Sequence, residues 1–130
     1  MELEYFNRCK VLVIDDNLDA AETLCLLLDA VGYDAVFRTD GASGLALAKL
    51  WLPDAVLLDI WMPIMNGYQV AVEIRKDRLL DCCCVIALTA WTDQATVELT
   101  ASSGFDVHIG KPASLSAIVK AIEGPDKSRL

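Results

Sequence analysis

The chain is short of several things, and each shortage removes a class of function. It has one histidine, His108, in 130 residues, and no Cys-x-x-Cys pair. Metal sites built from imidazoles or spaced thiolates are therefore disfavoured. Its five cysteines are odd in number, so they cannot all pair within the chain, and three stand together as Cys82, Cys83 and Cys84. That run reads either as a redox or metal site or as small buried residues opening a strand, and burial is the usual fate of a free cysteine. Basic residues are also scarce, eleven against nineteen acidic ones, for a formal charge of −8. A surface of that sign repels nucleic-acid backbones and anionic membranes, so neither is an expected partner.

Long apolar runs are missing as well. A membrane helix needs ~20 apolar residues in a row. The richest stretch, Ala55 to Met65, is broken by Asp59 and Pro63. The first ten residues carry Glu2, Glu4, Arg8 and Lys10 and contain no apolar segment of a secretory signal. The cytoplasm is the expected compartment. There is no internal repeat and no low-complexity block.

What is present is core-forming material. Hydrophobic residues make up 55% of the chain, and the length suits one domain. Short apolar runs alternate with helical patterns. Val11-Leu12-Val13-Ile14 reads as a strand buried on both faces, ended by Asp15-Asp16. Asn17 can cap a helix in which Leu18, Ala21, Cys25, Leu28 and Val31 hold helical spacing, and Gly32 stops it. Ala35–Phe37 is a second strand, and Asp40 caps a helix through Leu45, Ala48 and Leu50 that Pro53 closes. Ala55–Leu58 is a third strand ending at Asp59. A loop with Pro63, Asn66 and Gly67 leads to a short helix with Val70, Ala71 and Ile74. Val85–Leu88 is a fourth strand ending at Thr89, and a weaker helical pattern runs from 93 to 103. Val107–Ile109 is a fifth strand ending at Lys111-Pro112. Ser114 caps a last helix with Leu115, Ile118, Val119 and Ile122 on one face. Five strand–helix units in succession predict an α/β fold, a parallel sheet covered on both sides by helices. Residues 1–124 form the expected domain and residues 125–130 a short tail.

The chemistry gathers at the strand ends. Asp15-Asp16, Asp59, Thr89 and Lys111 each follow a strand. In an open parallel sheet all carboxyl ends share one edge, and ligands bind there. Were the first and third strands neighbours, three carboxylates would converge and repel, and a cation would have to offset them. Oxygen-only ligands select a hard ion, and Mg2+ fits. With Lys111 the charges then balance. An aspartate beside Mg2+ and a lysine is suited to accept a phosphoryl group as an acyl phosphate, with Thr89 donating to a phosphoryl oxygen.

Four motifs hold these residues: VLVIDDN (Val11–Asn17), LLDIWMPIMNG (Leu57–Gly67), ALTA (Ala87–Ala90) and HIGKP (His108–Pro112). In this order the chain resembles a response-regulator receiver domain of two-component signalling, of the chemotaxis-regulator kind. The segment from Ala87 to Pro112 is similar to receivers joined to hybrid sensor kinases. The resemblance implies a flavodoxin-like (βα)5 sandwich with strand order 2-1-3-4-5. It also implies a signalling domain rather than an enzyme, catalysing only phosphotransfer to, and slow hydrolysis from, its own aspartate. Asp59 matches the phosphoacceptor, which takes its phosphoryl group from a sensor histidine kinase or a phosphotransfer protein. Asp15 and Asp16 match the acid pair of the Mg2+ site, Asp16 the more direct ligand, and the Trp61 backbone carbonyl completes it. Thr89 matches the switch hydroxyl and Lys111 the phosphate-binding lysine. Pro112 is a cis-peptide candidate that would aim the lysine inward.

The sequence departs from the family at His108, where an aromatic switch residue is usual. Its ring either moves inward when Thr89 is drawn to the phosphate or is a packed histidine with no signalling part. Trp61 and Trp91 stand two positions after Asp59 and Thr89. They either screen the acyl phosphate from water, the reading preferred, or serve as partner-surface or half-buried anchors. The expected readout is a protein target docked on the last two helices and the fifth strand. No effector pattern follows Glu123, so a stand-alone receiver and one cut from a larger protein both remain open. Two other classes stay in view. A haloacid-dehalogenase-type phosphatase would use Asp15 as nucleophile, although it wants Asp-x-Asp where this chain has Asp15-Asp16-Asn17. A receiver-shaped interaction module would never be phosphorylated.

Overall fold

The computed structural model describes residues 8–90 and 93–124. Trp91 and the tail at 125–130 lie outside the described residues. Five parallel strands form one sheet: β1 (Lys10–Ile14), β2 (Asp34–Arg38), β3 (Ala55–Asp59), β4 (Cys84–Thr89) and β5 (Val107–Gly110). Their order is β2-β1-β3-β4-β5, as the family resemblance implies. Five α-helices connect and follow them: α1 (Leu18–Ala30), α2 (Gly41–Trp51), α3 (Gly67–Lys76), α4 (Gln94–Ser102) and α5 (Leu115–Glu123). A turn of 3-10 helix at Arg78–Leu80 precedes β4.

Side chains alternate across a strand, and the core divides accordingly. Leu12, Ile14, Val56, Leu58, Val85 and Ala87 face the α2–α3 layer and meet Ala48, Val70, Ala71 and Ile74. Val11, Val13, Leu57, Ile86 and Leu88 face the α1–α5 layer and meet Ala21, Cys25, Leu28 and Ile118. Both faces of the sheet are covered, so the strands read as unbroken apolar runs.

The expected caps Asn17, Asp40 and Ser114 are observed, and Asn66 and Asp93 join them. Asn17, Asp40, Asn66, Asp93 and Ser114 each accept a backbone N–H from their helix's first turn with the side chain. Some expected faces shift. Leu18 and Val31, the ends of the α1 stripe, are more than half exposed; they are the helix's first residue and its C-cap. Cys84 rather than Val85 opens β4, Cys83 is buried, and Cys82 is exposed. Only part of the cysteine run therefore behaves as core. Burial pushes the Cys83 thiol up to about 12 against the opposing pull of Arg75, so it holds its proton. Among the described residues no helix is long and apolar enough to cross a membrane.

Candidate functional site

Strand register decides which side chains meet. β1 lies beside β3 with Ile14 paired to Leu58, so the residues after them, Asp15 and Asp59, emerge side by side. β4 continues the edge, with Asp59 aligned to Leu88. Thr89 ends β4 almost wholly buried. Lys111 follows β5, and its backbone N–H donates to the Thr89 carbonyl at 2.8 Å. The peptide bond from Lys111 to Pro112 is cis.

One carboxylate oxygen from each of Asp15, Asp16 and Asp59 lies within 4.8 Å of the others. Asp15 is buried, Asp59 half-buried and Asp16 exposed, so the cluster opens to solvent on one side. The Lys111 ammonium stands 3.2 Å from Asp15 Oδ2 and 3.7 Å from Asp59 Oδ1. Both Asp15 oxygens are engaged, since Oδ1 accepts the Asn17 N–H at 2.9 Å. The Asp59 carboxyl has its pKa raised to about 6. Burial is the main cause. Lys111 opposes it, and the charges of Asp15 and Asp16, with a hydrogen bond to Asp16, add to it. An all-oxygen cluster under this much mutual repulsion fits a small hard dication, and Lys111 alone does not relieve it.

The loop between β3 and α3 is tied to the same edge. The Gly67 N–H donates to the Ile60 carbonyl at 2.8 Å. A Cβ on Gly67 would lie 2.5 Å from the Asp59 carbonyl oxygen, so only glycine lets α3 start this close to the acid. Within that loop Ile64 is fully exposed at φ 69°, a conformation that strains a β-branched residue.

The remaining expected residues divide. Trp61 is half exposed, with its ring edge-to-face on Tyr68. His108 is half-buried on β5, and its Nε2 is buried with no hydrogen-bond partner among the described residues. Trp91 lies outside the described residues. Two residues of consequence carried no sequence signal, Tyr68 and Arg75. Arg75 donates to the carbonyls of Gly104 and Cys83 and pairs with Asp106, joining α3 to the segment that leads into β5. A lone arginine in a helix does not announce partners some thirty residues away.

Comparison with known proteins agrees with this geometry. Residues 11–123 match the family described as response regulator receiver domain. Over 115 residues the chain is 36% identical to the DNA-binding response regulator MtrA of Mycolicibacterium paratuberculosis, covering 88% of this chain and 50% of that protein. It thus spans about half the length of the curated relatives it matches. The chemotaxis protein CheY4 of Vibrio cholerae superposes with a TM-score of 0.84 at 23% identity, covering 89% of this chain and 97% of its own. That likeness speaks for the fold alone. The signal receiver domain of a signal transduction histidine kinase from Syntrophus aciditrophicus gives 0.80 at 26% identity, covering 88% of this chain and 87% of that one. With the sheet order, the acid cluster and the match over nearly its whole length all in agreement, the chain belongs to the response regulator receiver domain family of two-component signalling.

Proposed function

We propose that Asp59 is the phosphoacceptor, loaded in a Mg2+-dependent reaction by a sensor histidine kinase or a phosphotransfer protein. The observation that carries this reading is the meeting of Asp15, Asp16 and Asp59 within 4.8 Å, with the Lys111 ammonium beside two of them. An Asp59 oxygen attacks the phosphorus of a phosphohistidine. The phosphorus–nitrogen bond breaks, and the imidazole nitrogen keeps the electron pair. Asp15, Asp16, Asp59 and the Trp61 carbonyl would hold Mg2+, which when bound supplies positive charge for the phosphoryl oxygens. Lys111 leaves its carboxylate partners to hold one of those oxygens, and the Thr89 hydroxyl donates to another. Asp15 is a poor alternative nucleophile, since it is buried with both oxygens occupied. That argues against the phosphatase reading.

Loading shifts an equilibrium between two arrangements of the domain. Drawing Thr89 toward the phosphate frees space that the His108 ring can enter, and its unpartnered Nε2 would gain a partner there. The readout is a protein target on α4, α5 and β5, where Val97 and Leu99 are exposed. The large acid excess favours protein over nucleic acid or membrane for this unit, and the cytoplasm is its proposed place. Residues 1–124 are the receiver and 125–130 a tail. Trp61 and Trp91 screen the acyl phosphate from water and so lengthen its life. As a receiver, the chain performs only transfer to its own aspartate and the slow hydrolysis that follows.

Incubation with acetyl phosphate and Mg2+ tests this. One phosphoryl group is expected on Asp59 by peptide mass mapping, none without Mg2+ and none in Asp59→Asn. Modification of Asp15 instead would overturn the reading in favour of the phosphatase. No modification, together with no Mg2+-dependent binding of beryllofluoride (a phosphoryl mimic), would overturn it in favour of the interaction module.

A further inference from the structure

We propose that Tyr68 is a positioning residue that restrains the Trp61 indole, two residues after Asp59, and so sets how long phosphorylated Asp59 survives. The proposal rests on the reading of Trp61 as a screen. Trp61 sits in the loop after β3 with half its surface in solvent. Only half of it is covered, so the ring's position depends on what it touches. Its ring partner among the described residues is Tyr68, at 5.8 Å between centroids and 81° between planes. That is the edge-to-face arrangement aromatic pairs prefer. Tyr68 is itself wedged from behind by Phe105, at 6.4 Å and 90°. Tyr68 and Phe105 are both buried, so Trp61 is the exposed end of a stack with a buried base.

That base is referenced to Asp59 itself. Tyr68 is the second residue of α3, and the first, Gly67, lies against the Asp59 carbonyl and donates to the Ile60 carbonyl. Reciprocal bonds between Asn66 and Gln69 hold this first turn. The distance from the acid to the Tyr68 ring is thus set by backbone, and Trp61 inherits it. The Tyr68 hydroxyl is buried and has no hydrogen-bond partner among the described residues. The ring, not the hydroxyl, is therefore what the site uses.

Hydrolysis proceeds by attack of a water oxygen on phosphorus. The bond from phosphorus to the Asp59 oxygen breaks, the carboxylate keeps the pair, and the water's protons stay with the released phosphate. A displaced indole uncovers the path of that water.

The test loads the whole chain with acetyl phosphate, removes the donor and times phosphate release in Tyr68→Leu, Tyr68→Phe and Trp61→Ala. 5-Fluorotryptophan spectra of each follow the indole rings. Tyr68→Leu is expected to shift the Trp61 resonance, leave Trp51 in place and shorten the lifetime about two- to tenfold, the weight of an aromatic pair. Tyr68→Phe is expected to keep both the resonance and the lifetime. Should Tyr68→Leu not fold, Phe105→Leu loosens the stack from behind and is read the same way. An unmoved Trp61 resonance, or a lifetime unchanged when that resonance moves, overturns the proposal. A lifetime unchanged in Trp61→Ala overturns the screening reading separately, because the resonance arm still reports on positioning.

Discussion

Helices α3 and α4 both pack beside the sheet's active edge, yet they are held by different means. α3 buries Gly67, Tyr68, Val70, Ala71 and Ile74. Its first turn is bonded to the backbone after Asp59, and Arg75 in its last turn grips Gly104, Cys83 and Asp106. α4 buries only Thr96 and Thr100 and leaves Val97 and Leu99 outside. The Thr100 hydroxyl bonds back to the Thr96 carbonyl of its own helix at 2.6 Å. Apolar burial is the main stabiliser of a helix on a sheet, and α4 has almost none. The two helices therefore differ in what holds them. One is bonded to the backbone beside the acids, and the other rests on the sheet with little apolar burial.

The comparison is broken most directly by truncation in each helix. Ile74→Ala removes a fully buried side chain from α3 and is expected to lower unfolding free energy by about 2–5 kcal/mol in urea titration. An equal loss from Val97→Ala would show that α4 is no looser than α3.

The firmly held side also carries the strain of the acids. The Asp59 pKa is raised to about 6, so folding favours its protonated form. The stability it contributes is whole below the unfolded-state value and is lost as pH climbs through 6. In metal-free protein at pH 7.5, Asp59→Asn is expected to be more stable than wild type by roughly 2–3 kcal/mol. The difference should vanish below about pH 4, where Asp59 is neutral in both states. Melting curves across that range in the presence of a chelator check it, and a gap that widens on acidification would contradict the assignment.

Ile64 is a smaller lever on the same side. Its left-handed backbone suits asparagine better than isoleucine. Ile64→Asn is expected to stabilise by roughly 0.5–1 kcal/mol, read as a higher urea midpoint at unchanged slope. The smallest effect belongs to α4. Thr100→Val deletes a buried hydroxyl whose acceptor keeps its backbone bond, so global stability should move by about 0.5 kcal/mol or less. Amide exchange within α4 should nonetheless slow, because an apolar group now faces the sheet.

Much of this architecture could be read before any coordinates. Unbroken apolar runs marked the strands, and a polar side chain after each marked where the run ends. Asn17, Asp40 and Ser114 announced their helices because capping is local. Legibility failed where a neighbour far along the chain decides. Leu18 and Val31 keep helical spacing, but at the two ends of α1 they are left outside. Cys82 stands beside two partly or fully buried cysteines, yet the turn before β4 faces it to water. Tyr68 looks like any helix aromatic until Trp61 and Phe105 are seen on either side of it.

Composition and periodicity were enough to determine an acidic α/β domain, because hydrophobic spacing and capping act over a few residues, and four motifs in order carried the resemblance to the receiver family. The tertiary structure alone decided that Asp15, Asp16 and Asp59 share one small volume with Lys111, and that α3 buries an apolar face while α4 buries two threonines. Such facts depend on strand register and on packing between segments tens of residues apart, and no local pattern encodes those distances.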